Sequence, residues 1–526
     1  MTWIEPADGD HLVRLSRLED GLAWSAPTTI ARGTDFFVNW ADFPSVAMAT
    51  SGFLIAHWLE KSGTGTYAYD IHLARSEGDG ATWRPLGTAH DDGTQTEHGF
   101  VALVAEGDGV RAFWLDGRDM GSEVPEAGGH AAHGSMTLRT ALVGDAIGVS
   151  EVLDERTCEC CQTDAAMTAA GAIVVFRDRT EAEIRDISIV RRIGDGWTRP
   201  EPVHSDGWVV PGCPVNGPAV AAGGPEGRQV AVAWFTASEN RPRVQVAFSV
   251  DAGASFEAPV VIDAMNPVGR VDIALDDAGD AIVSWLGSVD QNNAAVRLIR
   301  VPGPATAGRA APTVSSASTP LTIALTGGSR ASGFPRIVRS GGDVVVAWTG
   351  TSESSAVRTA VIPVPGIPRF SPGESPGEGS PQDTPVADYA ARDLDGGSIA
   401  LSDLRGRPAL LNLWASWCLP CREEIPVLME IHERYAGRGL RVLGVSLDDA
   451  ASAQSVRAFV RENRIPYTNL HDPEGLAYQV FGLSMLPATF LIDDRGHIVW
   501  RRHGAIHRDD PDLERALETL FAGSSS

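Results

Sequence analysis

The chain has 526 residues, 43% of them hydrophobic and 21% charged, a composition that excludes a disordered or collagen-like polymer and a length that suggests two to four domains. Its 43 Lys and Arg against 68 Asp and Glu leave a net charge of −25, which repels phosphate backbones and argues against a nucleic-acid partner. No run of about 18 apolar residues occurs, so no membrane-spanning segment is expected.

The first residues, Met1 to Asp8, carry neither the basic nor the apolar region of a signal peptide. From there to about Pro363 a short apolar run ending in an aromatic recurs. The aromatics are Trp3, Trp58, Trp114, Phe176, Trp234, Trp285 and Trp348, spaced 51 to 63 residues apart. Each run is followed by an alternating apolar/polar segment such as VRLSR, DIHLARS or VQVAFS. One four-stranded blade of a β-propeller has this period, and the alternation fits strands with one face packed on the next blade. A β-sandwich with a coincidental period is the competing fold. Seven aromatic strands give seven blades, or six if one terminal repeat is incomplete. The first repeat starts inside its aromatic strand, and the last, from about Gly333, lacks an obvious final strand. An open blade edge exposes unpaired backbone groups. The expectation is therefore that this sequence is truncated at its N-terminus, the missing part holding a closing strand and a signal peptide. The alternative is that Met1 is the true start and the ring closes imperfectly.

The segment Ser249-Val-Asp-Ala-Gly-Ala-Ser-Phe256 resembles the Asp-box of sialidase-like propellers, and Ser76 to Trp83 is a near match with its Asp displaced by one. In that family the box is a turn-stabilising device, so the resemblance implies a fold and not a chemistry. Sialidase activity would need a Tyr nucleophile with a Glu partner, an Asp and three arginines. The propeller half holds only Tyr67 and Tyr69, and Gly333-Phe-Pro-Arg-Ile337 merely shuffles the family's arginine segment. A glycoside hydrolase is thus the least supported reading.

Four cysteines lie in this half: Cys158, Cys160 and Cys161 together, and Cys213 near the next blade boundary. Equivalent places in successive repeats would bring them to one end of the ring. Three readings stay open. They form structural disulfides, for example Cys161 with Cys213. They hold a soft metal, copper or zinc. Or they are the thiol substrate of the chain's own C-terminal domain. His130, His133 and Met136 are weak additional ligand candidates. Polar clusters beside the aromatic strands (Asn39, Trp40 and Asp42; Glu97 and His98; Asp116, Arg118 and Asp119; Arg177, Asp178 and Arg179) either line the mouth of the ring or cap blades with ion pairs, and capping is favoured.

Residues 364–384 are dense in Pro, Gly, Ser and acid and read as a semi-extended linker. Beyond it strand and helix patterns alternate. An apolar strand over 409–414 leads to Trp417-Cys418-Leu419-Pro420-Cys421, then an amphipathic helix to about Arg438, then a second apolar strand over 441–446. A CxxC opening a helix after a strand reads as a redox dithiol. The helix N-terminus stabilises a thiolate at Cys418, the attacking species in disulfide exchange, and Cys421 stands one turn on, placed to resolve a mixed disulfide. Half of a zinc site is the bland alternative, but no second CxxC or His pair lies nearby.

The stretch WASWCLPC with the later LPATFLID resembles the thioredoxin superfamily, and within it the TlpA/ResA-like thiol:disulfide oxidoreductases, over about residues 385–523. The resemblance implies a cis Pro487 against the CxxC, a Leu486 backbone and Trp417 available to a substrate chain, and an N-terminal hairpin from Ala387 to Leu404. It also implies a role for Glu424: Asn412 stands where thioredoxins proper carry a buried Asp, and this group instead places a Glu three residues after the second Cys. Glu424 either takes the proton from Cys421 or merely favours the helix N-terminus. Peroxiredoxins share the fold but lack the CxxC partner.

The expected molecule is multidomain: an all-β sialidase-like propeller (1–363), the linker (364–384), and an α/β thioredoxin-like domain (385–523). The expected function is dithiol–disulfide exchange, in the reducing direction, with catalytic Cys418, Cys421, Glu424 and Pro487, no required cofactor, and the propeller binding or presenting a substrate. Partners would be protein thiols and disulfides and an unidentified electron donor. The place of work would be the periplasm or cell envelope, with the cytoplasm as alternative. The runner-up is a copper- or partner-binding propeller whose cysteines the thioredoxin domain keeps reduced.

Overall fold

A computed structural model describes the chain apart from residues 20–22, 66, 121–133, 225, 266, 290–292, 305–318, 328–331, 351–355, 371–388, 395, 449–451, 474, 482–485, 509 and 523–526. Up to residue 363 the described residues form seven antiparallel blade sheets in succession, those of a propeller, over residues 2–33, 45–88, 98–154, 164–204, 219–263, 269–327 and 336–363, with a separate two-stranded hairpin, Leu18–Glu19 with Ala23–Trp24, inside the first range. Each recurring aromatic from Trp58 to Trp348 sits in a strand paired on both sides, whereas Trp3 sits in the edge strand of the first sheet. Gly109–Asp116 and Gln229–Thr236 are buried at every residue, which is why those segments are mostly apolar, with Arg111 the one charge inside them and Asp116 at the end of the first.

A buried indole needs a partner for its N–H. Trp58 and Trp114 donate to Glu60 and Asp116 (2.7 and 2.9 Å), two residues on and hence on the same strand face. Trp234 and Trp285 donate to Asp206 and Asp263, both at 2.7 Å. The apolar cores lie between consecutive blades: Trp114 packs with blade 2 residues Ile55 and Ile71, Trp234 with blade 4 residues Val175 and Ile189, and Trp285 with blade 5 residues Phe235 and Val246.

The first and last sheets have three strands each among the described residues, the first beginning at the aromatic strand Thr2–Ala7 and the last ending at Ala356–Pro363. They are joined across the ring by the Trp24 indole N–H, which donates to the Thr359 hydroxyl at 3.1 Å. In the turn at 249–256 the Asp251 carboxylate accepts from the Ser255 N–H (2.9 Å) and hydroxyl (2.7 Å), and Ser249 Oγ accepts from the Gly253 N–H (2.9 Å). Residues 364–370, assigned to the linker by composition, pack back on blade 6: the Phe370 N–H donates to the Arg300 carbonyl at 2.7 Å and Arg369 pairs with Asp280 at 2.9 Å. The rest of the expected linker, and Ala387 of the expected hairpin, lie outside the described residues.

The C-terminal part is one seven-stranded sheet in the order Ser398–Ala400, Ala390–Asp393, Thr468–His471, Arg441–Ser446, Ala409–Trp414, Ala488–Ile492, Ile498–His503. Ala409–Trp414 is its buried centre, parallel to Arg441–Ser446 and antiparallel to Ala488–Ile492. The helix Leu419–Tyr435 packs Ile425, Leu428 and Ile431 in one core with Leu410 and Val442. This is the α/β thioredoxin-like arrangement, and it places the CxxC at the C-terminal end of the central strand.

Candidate functional site

The strand Ala409–Trp414 ends in a short loop, Ala415 to Trp417, and Cys418 is the N-cap of the helix that follows. An N-cap side chain accepts from the first-turn amides, which have no partner within the helix. Here the Cys418 sulfur takes that place, accepting from the Cys421 N–H at 3.3 Å. Pro420 in the first turn costs no hydrogen bond. The sulfurs of Cys418 and Cys421 are bonded to each other, with Cα atoms 5.3 Å apart. Both are fully buried, in a cluster with Trp414, Leu486 and Phe490 that Trp417 flanks. The helix start therefore offers a first-turn amide to the Cys418 sulfur, and neither sulfur is presented to solvent.

The loop before the CxxC is anchored by Asp448, which pattern reading did not single out. Its carboxylate accepts from the Ser416 N–H (2.9 Å), the Ser416 hydroxyl (2.6 Å) and the Ser446 hydroxyl (2.7 Å). The one signal available was its place just past the second apolar strand, opposite the loop.

Glu424, three residues past Cys421 on the same helix, is 1% exposed. It accepts from the Asn412 side-chain amide at 2.7 Å and from the Ile506 N–H at 2.9 Å. Asn412 also donates to the Thr489 hydroxyl at 3.0 Å, so it fixes the carboxyl's position from the central strand. Burial outweighs those two hydrogen bonds and pushes the Glu424 carboxyl up to about 8. Glu424 is the sixth residue of the helix Leu419–Tyr435, past its first turn, so the alternative of a first-turn glutamate that merely favours the helix N-terminus does not describe it.

The Leu486–Pro487 peptide is cis. Leu486 does meet an extended chain, and that chain is the protein's own. The Cys213 N–H donates to the Leu486 carbonyl at 3.2 Å in an antiparallel bridge between the two residues. The contact continues on either side: the Ala505 N–H donates to the Pro211 carbonyl at 3.2 Å, and a Cβ on Gly212 would stand 2.9 Å from the Leu486 oxygen. The propeller segment Pro211 to Cys213 thus lies along the thioredoxin-like domain beside its dithiol.

The four propeller cysteines do gather at one end of the ring, but not as Cys161 with Cys213. The bond is Cys158–Cys161, with Cα atoms 5.8 Å apart, and it leaves Cys160 and Cys213 free. Cys161 is not open to Cys213 because its sulfur is already bonded to Cys158. Cys160, as the neighbour of Cys213, holds it below the usual thiol range, while burial and Cys213 in turn push Cys160 up. The buried guanidinium of Arg185 reaches the Cys158 sulfur (3.4 Å) and Glu159 (2.8 Å) and lowers Cys213 further. The Sγ atoms of Cys158, Cys160 and Cys161 lie within 4.8 Å of one another, a spacing a soft metal would accept if the bond were reduced. His130 and His133 lie outside the described residues, and Met136 is a buried core residue.

The strand-end polar residues cap blades. Arg177 is buried and its guanidinium donates to the carbonyls of Asn216, Arg185 and Phe235. Asp42 accepts from the Phe100 N–H at 2.7 Å, and Asp116 binds Arg118 through two hydrogen bonds. Tyr69 donates to Glu97 at 2.6 Å but is fully buried, which leaves no access for a sugar.

The AhpC/TSA family model matches residues 383–501. The thiol-disulfide oxidoreductase ResA of Bacillus thuringiensis subsp. konkukian is 30% identical over 132 residues, 25% of this chain and 74% of the relative, and that of Geobacillus kaustophilus is 31% identical over 133 residues, again 74% of its length. Among solved structures, a putative thiol:disulfide interchange protein DsbE from Chlorobium tepidum is 29% identical and covers 26% of this chain and 95% of its own, at a TM-score of 0.25. No described helix is long and apolar enough to cross a membrane. With its CxxC at a helix N-terminus, the family match over residues 383–501 and the ResA relatives, the chain belongs, through its C-terminal domain, to the ResA-like thiol-disulfide oxidoreductases of the thioredoxin fold.

Proposed function

We propose that the chain is a thiol:disulfide reductase working through Cys418 and Cys421, with the propeller presenting the substrate, outside the cytoplasm in the cell envelope. The observation that carries it is the helix N-terminus built on Cys418, with a buried, raised carboxyl at Glu424 further along the same helix. Reduced, Cys418 attacks a substrate disulfide as a thiolate, forms a mixed disulfide and releases one substrate thiolate. Cys421 then attacks the Cys418 sulfur, re-forming the Cys418–Cys421 bond and freeing the second substrate thiol. Glu424 takes the Cys421 proton as that attack begins; a carboxyl titrating near neutrality suits the task. No metal or other cofactor enters these steps. The test is reduction of oxidised glutathione or a peptide disulfide by the pre-reduced full chain. Cys418→Ser is expected to fall to the uncatalysed rate, and unchanged turnover in that variant would remove the reading.

A second reading rests on the Cys158, Cys160 and Cys161 spacing: a propeller that holds copper or zinc, its sulfurs kept reduced by the C-terminal domain. Metal analysis of protein purified without chelator tests it, with loss of the metal in Cys160→Ser expected.

A further inference from the structure

We infer that Cys213 is the internal exchange partner of Cys418, and that Cys160 is the thiol that resolves their mixed disulfide. The inference rests on the dithiol chemistry proposed above and names its first substrate, a cysteine pair of the same chain. Three independent features converge on it. Cys213 is backbone-paired with Leu486, which belongs to the same buried cluster as Cys418 and Cys421. The approach is close along its length, since Gly212 has no room for a side chain against the Leu486 oxygen and Gly504 packs on Val210 and Pro211. And Cys160 and Cys213 are the two free cysteines of the propeller, Cys160 being the neighbour that acts most on Cys213, while the bond between Cys158 and Cys161 removes the other two from competition.

The exchange balances within the chain. The Cys213 thiolate attacks the Cys418 sulfur, forming Cys213–Cys418 and breaking Cys418–Cys421, whose electron pair leaves on Cys421. The Cys160 thiolate then attacks the Cys213 sulfur, forming Cys160–Cys213 and leaving the pair on Cys418. Two electrons and two protons pass from the Cys160/Cys213 dithiol to Cys418/Cys421, and the reverse sequence reduces a Cys160–Cys213 disulfide. The propeller in this account is a redox partner carried in cis.

The test uses the full chain with Cys160→Ser and Cys421→Ser combined, so that both resolving thiols are absent and Cys213 and Cys418 remain. After mild oxidation with diamide and blocking of free thiols, peptide mapping is expected to find Cys213 linked to Cys418 in most molecules. Both residues remaining free for alkylation would overturn the inference, provided the double variant still melts cooperatively. Should it not, the wild-type chain reduced with one equivalent of dithiothreitol is mapped instead. A Cys160–Cys213 disulfide in wild type that is lost in Cys418→Ser supports the relay, and its absence from both overturns it. Stoichiometric zinc or copper bound through Cys160 and Cys213 and shielding them from alkylation would also overturn it. Exchange of the wild-type CxxC with oxidised glutathione, measured in parallel, separates the two claims: if it persists, only the internal partner is wrong, and if it is absent, the oxidoreductase reading falls with it.

Discussion

Glu424 is a carboxyl whose folded environment favours its protonated form. Its ordinary value of 4.5 rises to about 8, so between these limits the folded state holds a proton that the unfolded state has released. Stability from this residue is fully present below about pH 4.5 and is lost as pH rises through 8, at up to about 1.4 kcal/mol per unit. Glu424→Gln keeps the shape and the hydrogen bond to Ile506 but cannot ionise. Calorimetry from pH 5 to 9 is expected to show the variant gaining on wild type as pH rises. Turnover is expected to drop about 100-fold and to lose its dependence on a group near pH 8. Cys421→Ser is expected to stop turnover while still forming a mixed disulfide at Cys418, read as a glutathione adduct by mass. Cys418 and Cys421 were legible because their chemistry is local, a spacing and a helix start. Glu424 was half legible, since its position in the helix is sequence but its burial under Asn412 and Ile506 is tertiary.

At the level of strands and helices, the repeat of buried aromatics marked the second strand of blades 2 to 7, and the CxxC marked the strand–helix junction, because both follow from period and burial. Asp448 did not announce itself, since an Asp after a strand is common and only the folded sheet brings it against Ser416. It joins the second apolar strand to the loop that carries the dithiol. Asp448→Asn turns one acceptor oxygen into a donor and leaves a buried hydroxyl or amide unpaired. It is expected to cost about 1–3 kcal/mol in urea unfolding of the C-terminal domain and to slow exchange by loosening the Cys418 loop. Asp448→Glu, whose longer arm overfills the same place, should not restore either.

For the whole molecule, composition separated the two folds but could not join them. That Cys213, rather than an outside chain, occupies the Leu486 edge depends on one propeller loop meeting a surface about 270 residues later in the chain, a pairing no local pattern encodes. Gly212→Val places a branched side chain against the Leu486 oxygen and is expected to part the domains there. In the reduced full chain, alkylation of Cys418 by iodoacetamide should then quicken at least tenfold, while the propeller keeps its melting transition. An unchanged rate would mean that something other than this loop shields the sulfur.

The hydrogen bond between Trp24 and Thr359 also sets an order of assembly. A ribosome has to deliver nearly the whole ring before its two ends can be stitched, so the first blades emerge into water with an apolar flank uncovered for most of synthesis. The CxxC appears only after that stitch is available. A newborn chain would therefore present Cys160 and Cys213 to whatever oxidants surround it well before its own dithiol exists to exchange with them.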